Sequence, residues 1–240
     1  PLIGIISAGK FVDISSCPIH LPALNSLLLT LKELITEYKL HPYDIETKQG
    51  ELKFVQLQQA FGQNQFLMRL VLRSRESLDR IKILWHQVLA VRFPQLQVFS
   101  VNLQPAHQAI FEGKEEIILS SLPYLTHYFD KIFFYSGPQS FTQVTPAVAK
   151  EIYSLSSNFL EQRNCTTILD LFCGTGPFSF FCAPRAKKII GLELSAEAIR
   201  LATLAAKNQG LSHLQFATLD LAQPNALLQQ ITGPIDAIIV

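Results

Sequence analysis

The sequence predicts an α/β chain in two parts, an open parallel sheet of the nucleotide-binding kind preceded by an α+β domain. Three observations lead there. Ile168-Leu169-Asp170-Leu171-Phe172 is a short, mostly apolar run followed at once by Gly174 and Gly176, the pattern of a central strand turning sharply into a helix. Strand and helix patterns then alternate to Val240, whereas the first half runs helix, hairpin, helix, strand. The stretch 137–146 reads as a hinge, which sets the domains at 1–135 and 136–240.

The elements follow in order. Residues 1–10 form an apolar opening with strand character, and Cys17 stands in a turn before Pro18. Over 22–38, Leu24, Leu27, Leu28, Leu31, Leu34, Ile35 and Tyr38 recur at helical spacing, so this is an amphipathic helix with a core-facing stripe. The alternating segments 51–59 and 65–73 join through Gly62 as a hairpin. Ser77 is placed to cap a helix that carries Leu78, Ile81, Leu84, Trp85, Val88 and Leu89 and ends before Pro94. With the strand 96–103, this predicts helices on one face of a mainly antiparallel sheet.

Residues 131–135 read as a strand. Thr145 is a good cap and Pro146 a good first helical residue, and Val148, Ile152, Leu155 and Phe159 mark the buried face of a helix reaching Gln162. The rest predicts a strand at 168–172, a helix from Pro177, and a strand over 188–194 with Glu193 at its carboxyl end. A helix at 196–208 capped by Ser195, a strand at 213–218 ending near Asp220, a short helix around 226–230 and a strand at 235–240 complete it. That makes four parallel strands.

Composition bounds the function. Of the 240 residues 48% are hydrophobic, enough for real cores, and no apolar run approaches the ~20 residues that span a bilayer. No basic-then-apolar leader opens the chain, so a cytoplasmic location is expected. The four cysteines, Cys17, Cys165, Cys173 and Cys182, show no paired spacing and are expected to be free thiols. The start at Pro1 and the stop inside Ala237-Ile238-Ile239-Val240 suggest a piece of a longer protein. Net charge is only +1, but residues 48–92 hold eight basic side chains against three acidic. Arg69, Arg73 and Lys53 on the hairpin could therefore present phosphate contacts, the alternative being an ordinary solvated face.

The chemistry centres on the glycine turn. Gly174 and Gly176 leave room for a ligand to approach the backbone, and the helix from Pro177 adds its positive end. Glu193, at the end of the next strand, is placed to accept from both ribose hydroxyls of an adenosine, and Asp220 is expected in the same crevice, as an adenine acceptor or a loop cap. Gln143, just before a capped helix, is a surface residue or a ligand contact. No third glycine follows Gly176, as a pyrophosphate fingerprint requires, which counts against a nicotinamide-dependent oxidoreductase.

The motif D-L-F-C-G-T-G at Asp170, with G-L-E-L-S after it, resembles the first two motifs of Rossmann-like class I methyltransferases. Joined to C-P-I-H at Cys17, G-E-L-K at Gly50, V-L-R-S at Val71, V-N-L-Q-P at Val101 and P-Q-S-F-T-Q-V-T-P at Pro138, it resembles the bacterial RNA 5-methyluridine methyltransferases over nearly the whole chain. The resemblance implies S-adenosyl-L-methionine as cofactor, held by Gln143, Phe172, Glu193 and Asp220 around Gly174 and Gly176. It implies RNA, specifically 23S rRNA, as substrate, a monomeric enzyme and no membrane partner. Cys17 matches the last of four cysteines that hold a 4Fe-4S cluster, whose other three would precede Pro1. The family usually has Asn where Thr145 stands and a small or polar residue where Pro177 stands. It implies attack on C6 of uracil by a cysteine thiolate, with nucleophile and base expected beyond Val240 after an Asn/Asp-Pro-Pro motif. Cys173, inside the turn, is not that nucleophile. A non-catalytic RNA-binding relative is the other reading.

Overall fold

The computed structural model describes residues 3–7, 10–107, 112–222 and 233–240; the helix expected around 226–230 lies outside them. The chain forms two compact units, residues 1–60 with 64–125, and residues 61–63 with 126–240. The strand expected just before residue 136 falls in the second.

The first unit opens with an antiparallel pair, β1 (Gly4–Ser7) and β2 (Lys10–Asp13). Pro22 starts α1 (Pro22–Glu37), where a missing N–H costs nothing, and Leu24, Leu27, Leu31, Leu34 and Ile35 are its buried stripe. A four-stranded sheet follows: β3 (Leu52–Gln59), β4 (Phe66–Leu72), β5 (Leu96–Leu103) and β6 (Glu115–Ile118), side by side in that order. β4 and β5 run parallel and the outer pairs antiparallel. β6 had no alternating signal strong enough to be read in advance.

β4 is buried along its full length, and its two faces differ. Phe66, Met68, Leu70 and Leu72 join the leucines of α1 in one core, while Leu67 packs with Ala60, Val98 and Leu125. The helix expected before Pro94 is in three pieces: α2 (Leu78–Leu84), a π-helical turn (Trp85–Leu89) and α3 (Ala90–Arg92). The wider turn keeps both Trp85 and Leu89 buried, with Trp85 stacked on Phe99 at 5.1 Å. Ser77 does not cap α2 through its side chain; its hydroxyl instead accepts from Arg80 Nη2 at 2.7 Å.

In the second unit, β7 (Leu125–Phe129) and β8 (Ile132–Ser136) form a hairpin that the sequence had half concealed. Gln209 ties it down, accepting from Phe133 N at 3.3 Å and donating to Phe133 O at 2.8 Å. His127 is wholly buried there. Its Nδ1 accepts from Phe61 N at 3.2 Å, which leaves Nε2 to donate to Ser136 Oγ at 2.6 Å, and burial pushes the imidazole down to about 3.

α4 (Pro146–Gln162) buries Ala149, Tyr153, Ser157 and Leu160. That corrects the expected face: Val148, Ile152, Leu155 and Phe159 are all exposed, Leu155 by 61%. Both stripes have helical spacing, and the aromatic partners Phe129, Phe178 and Phe181 around Tyr153 decided between them. Thr145 makes no side-chain cap, only a backbone bond from Ala149 N.

The open sheet contains β9 (Thr167–Leu171), β10 (Lys188–Glu193), β11 (Leu214–Thr218) and β12 (Ala237–Ile239), all parallel, in the order β11-β10-β9-β12. α5 (Pro177–Cys182) and α6 (Ala196–Asn208) connect the first three. Ser195 caps α6 as expected, accepting from Ala198 N at 3.2 Å.

Candidate functional site

The carboxyl ends of β9, β10 and β11 lie abreast. Leu192 is in register with Leu171, and Glu193 with Thr218, so the chain leaves three neighbouring strands at one edge. In open parallel sheets that edge is where ligands bind. The turn after β9 is sharply wound: Phe172, Gly174 and Gly176 all have positive φ, at 57°, 55° and 81°. An aromatic residue in this region is strained, by about 1–3 kcal/mol, and Phe172 is nonetheless 65% exposed. Strain held on an exposed aromatic beside a strand end is the kind of feature a ligand site keeps.

The two glycines serve different ends. A Cβ on Gly176 would lie 2.9 Å from the Phe216 ring, so that position is closed by packing. A Cβ on Gly174 would meet nothing within 4 Å, so space lies open against its backbone. Glu193 faces that glycine: Oε2 accepts from Gly174 N at 3.2 Å and Oε1 from Ser195 N at 2.9 Å. The carboxylate is thereby fixed in place by two backbone donors.

Asp220 lies two residues past β11 and accepts from Ala222 N at 3.0 Å, while Leu219 N bonds to Glu193 O at 2.8 Å. The glycine turn, Glu193 and Asp220 are thus brought to one edge. Gln143 is exposed in the irregular stretch before α4, and no hydrogen bond joins it to the glycine turn among the described residues. Pro177 occupies the first turn of α5, as expected.

Beneath the turn lies a pair that the motif contained without revealing its role. Asp170 is 1% exposed and accepts from Ser179 Oγ at 2.6 Å; burial raises its carboxyl to about 6, and the Ser179 bonds only partly oppose that. Thr175 Oγ1 is buried without a partner. The only advance signal for Asp170 was an acid inside an apolar run.

The thiols do not offer a nucleophile at this edge. Cys173 is buried, and burial with the Asp170 and Glu193 charges raises its thiol far above the usual range. Cys182 is raised to about 11, chiefly by burial. Cys165 precedes β9, at the amino end of the strands. Cys17, in the first unit, is part-exposed rather than buried, its backbone N bonded to Asn25 Oδ1 at 2.9 Å. Among the described residues no group of three or more His, Cys, Asp or Glu could hold a metal, so the residues present do not fit an iron–sulfur cluster by themselves.

The expected phosphate-contacting face is corrected at one position. Arg69 is 2% exposed, on the face of β4 turned from the helices, and its Nε and Nη2 bond both oxygens of Glu116 at 2.6–3.2 Å while Nη1 reaches Glu112 at 2.9 Å. Buried Asn102 donates to the same Glu116 at 2.9 Å. Arg69 is a strut. Arg73 pairs with Glu51 at 2.7 Å.

A parallel sheet with a glycine turn after its central strand and a fixed carboxylate at the end of the next is a Rossmann-like fold, the arrangement that class I methyltransferases share with dinucleotide-binding domains. Residues 162–240 match the family model of a methyltransferase domain. The chain is similar over nearly its whole length to curated 23S rRNA (uracil(747)-C(5))-methyltransferases RlmC. It is 38% identical over 226 residues to that of Pectobacterium carotovorum, covering 93% of this chain and 59% of the relative. To that of Vibrio vulnificus it is 37% identical over 244 residues, covering 100% of this chain and 63% of the relative. It therefore spans about three-fifths of the length of the relatives it matches. The fold is also that of a Pyrococcus abyssi tRNA (uracil-54, C5)-methyltransferase solved in complex with S-adenosyl-L-homocysteine, with a TM-score of 0.79 at 19% identity, covering 99% of this chain and 55% of that one. No helix among the described residues is long and apolar enough to cross a membrane.

Proposed function

We propose that this chain is part of an S-adenosyl-L-methionine-dependent methyltransferase that methylates C5 of a uridine in 23S rRNA. The observation that carries the cofactor reading is the Glu193 carboxylate. A carboxylate offers about four acceptor sites, and backbone donors occupy one on each oxygen. One site per oxygen is left, which suits the two hydroxyls of a ribose. The open space against Gly174 N fits a ligand passing over the turn. In this reading Gly174 and Gly176 shape the cradle, exposed Phe172 covers one side, and Asp220 and Gln143 contact the ends of the ligand. The cofactor, when bound, supplies an electrophilic methyl group; the chain's own residues bind and orient.

The nucleophile and the base of the uridine chemistry are not assigned to any residue of this chain. The raised thiol of buried Cys173 supports that. The RNA substrate and its 23S identity are carried over from the RlmC relatives, and a cytoplasmic, monomeric enzyme goes with that substrate. The iron–sulfur part of the reading rests on Cys17 and the resemblance alone.

Saturation-transfer NMR, which registers even millimolar binding, tests the cofactor site. S-adenosylhomocysteine should receive magnetisation from the chain, Glu193→Ala should abolish the transfer, and NAD should show none. Transfer to NAD, or transfer to S-adenosylhomocysteine that survives Glu193→Ala, would overturn the reading. Salt-dependent RNA binding with no cofactor transfer in this or any longer form would favour a non-catalytic RNA-binding protein.

A further inference from the structure

In the first unit a cavity of about 580 Å³ opens where β4 and β5 end, floored by Leu103, Pro105 and Ala106 and walled by Arg75, Gly113 and Lys114. That is the size range of small-ligand sites. Lys53 lies behind that lining and bonds two of its residues. Its Nζ donates to Gln104 Oε1 and to Ala106 O, and lies 4.6 Å over the Tyr43 ring. Tyr43 in turn bonds His107 Nδ1 at 2.5 Å and stacks against that ring.

The carboxylates around this cavity all face arginines, Glu76 and Glu116 included. Glu51 is committed to Arg73, Glu112 to Arg69, and Glu115 to Arg75. Lys53 and Lys114 make no ion pair among the described residues. Lys53 is held by neutral acceptors and an aromatic face, and burial, with the Arg73 charge behind it, lowers its pKa. Lys53 and Lys114 are therefore the two charges here that an added anion could meet. The apolar floor beside them suits a ring and a sugar rather than an inorganic ion.

We infer that this groove is a nucleotide subsite for single-stranded RNA, with a backbone phosphate at Lys53 and Lys114 and the adjoining nucleoside on Leu103, Pro105 and Ala106. Tyr43 is a positioning residue that holds Lys53 by its ring face. The inference rests on the proposed RNA substrate and adds where on the first unit the strand lies. Arg69, which composition alone would have chosen, takes no part.

The test uses the whole 240-residue chain and a labelled uridine-rich single-stranded RNA of about ten nucleotides. Binding is read by anisotropy, and lysine acylation is mapped by mass spectrometry with and without the RNA. RNA should protect Lys53 and Lys114 and leave Lys82 and Lys150 reactive, and Lys114→Gln should weaken binding several-fold. It should also reduce the slope of log affinity against log salt by about 0.7, the value for one lost phosphate contact. Lys53→Arg, which retains the charge, should bind better than Lys53→Gln. Heparin, a polyanion without bases, should protect these lysines less than RNA does. Tight RNA binding with protection elsewhere would overturn the subsite and leave the proposed function standing. Equal protection by heparin would reduce the groove to a charged patch and overturn the subsite as well. No RNA binding at all would overturn the subsite.

Discussion

Replacing Asp170 by Asn separates two opposing buried groups in the second unit. Burial raises the Asp170 carboxyl from 3.8 to about 6. A raised folded-state value means its contribution to stability is fully present below 3.8 and lost as pH rises through about 6. Keeping that buried carboxyl ionised at pH 8 therefore costs about 3 kcal/mol. His127 acts in the opposite sense. Burial lowers its imidazole from 6.5 to about 3, so the neutral ring's contribution is present above 6.5 and lost as pH falls toward 3. Between about pH 8 and pH 4 that loss is also on the order of 3 kcal/mol. The two nearly cancel, so these groups together should leave the wild-type chain's stability almost flat over that interval. Asp170→Asn keeps the volume and an acceptor for Ser179 while removing the charge. It should match wild type near pH 4 and melt several degrees higher near pH 8, at about 2–4 °C per kcal/mol. Its acid sensitivity, hidden in the wild type, then becomes visible. Circular dichroism melts across the interval read this directly, with His127→Gln expected to tilt the profile the other way. An Asp170→Asn profile that runs parallel to wild type would refute the assignment of a raised carboxyl.

Three further outcomes are expected. Gly174→Ala should lower melting by only about 1 kcal/mol, the left-handed penalty at φ 55°, yet diminish transfer to S-adenosylhomocysteine because its Cβ enters the open space; Gly176→Ala should melt lower still, with partial recovery by Phe216→Leu. Arg69→Ala leaves Glu116 mostly buried without its partner and should cost about 3–5 kcal/mol in urea unfolding, whereas Arg69→Met with Glu116→Leu should recover most of it. Leu155→Lys with Phe159→Lys should reduce binding of the dye ANS with little change in melting, because both side chains are more than half exposed; a large drop in melting would mean that this stripe is buried after all.

What could be read in advance follows the reach of the signals. The leucine stripe of α1, the strand before Gly174, the carboxylate ending β10 and the cap at Ser195 are local patterns, and the local geometry follows from them. α4 shows the limit. Its sequence contains two apolar stripes, and only the aromatic cluster of Phe129, Phe178 and Phe181, brought from elsewhere in the chain, selects Tyr153 over Leu155. Ser77 and Thr145 had the right side chains for caps, but Arg80 claimed the Ser77 hydroxyl and Pro146 began its helix without a side-chain cap.

Arg69 sharpens the same point for function. Counting basic residues over 48–92 correctly finds an excess, but each charge's use depends on partners far along the chain. Glu112 and Glu116 lie more than forty residues from Arg69, and they convert the expected phosphate contact into a buried strut. Around the cavity, the same two-way accounting leaves Lys53 and Lys114 without an ion pair among the described residues. Composition gives the amount of charge that can meet a phosphate; only the pairing shows which residues still have it to offer. The glycine turn is the converse case, because its demand is on the backbone. Positive φ at Gly174 and a carboxylate facing its N–H need no distant partner to be recognised, which is why the turn was legible in the sequence and the partners of Arg69 and the buried face of α4 were not.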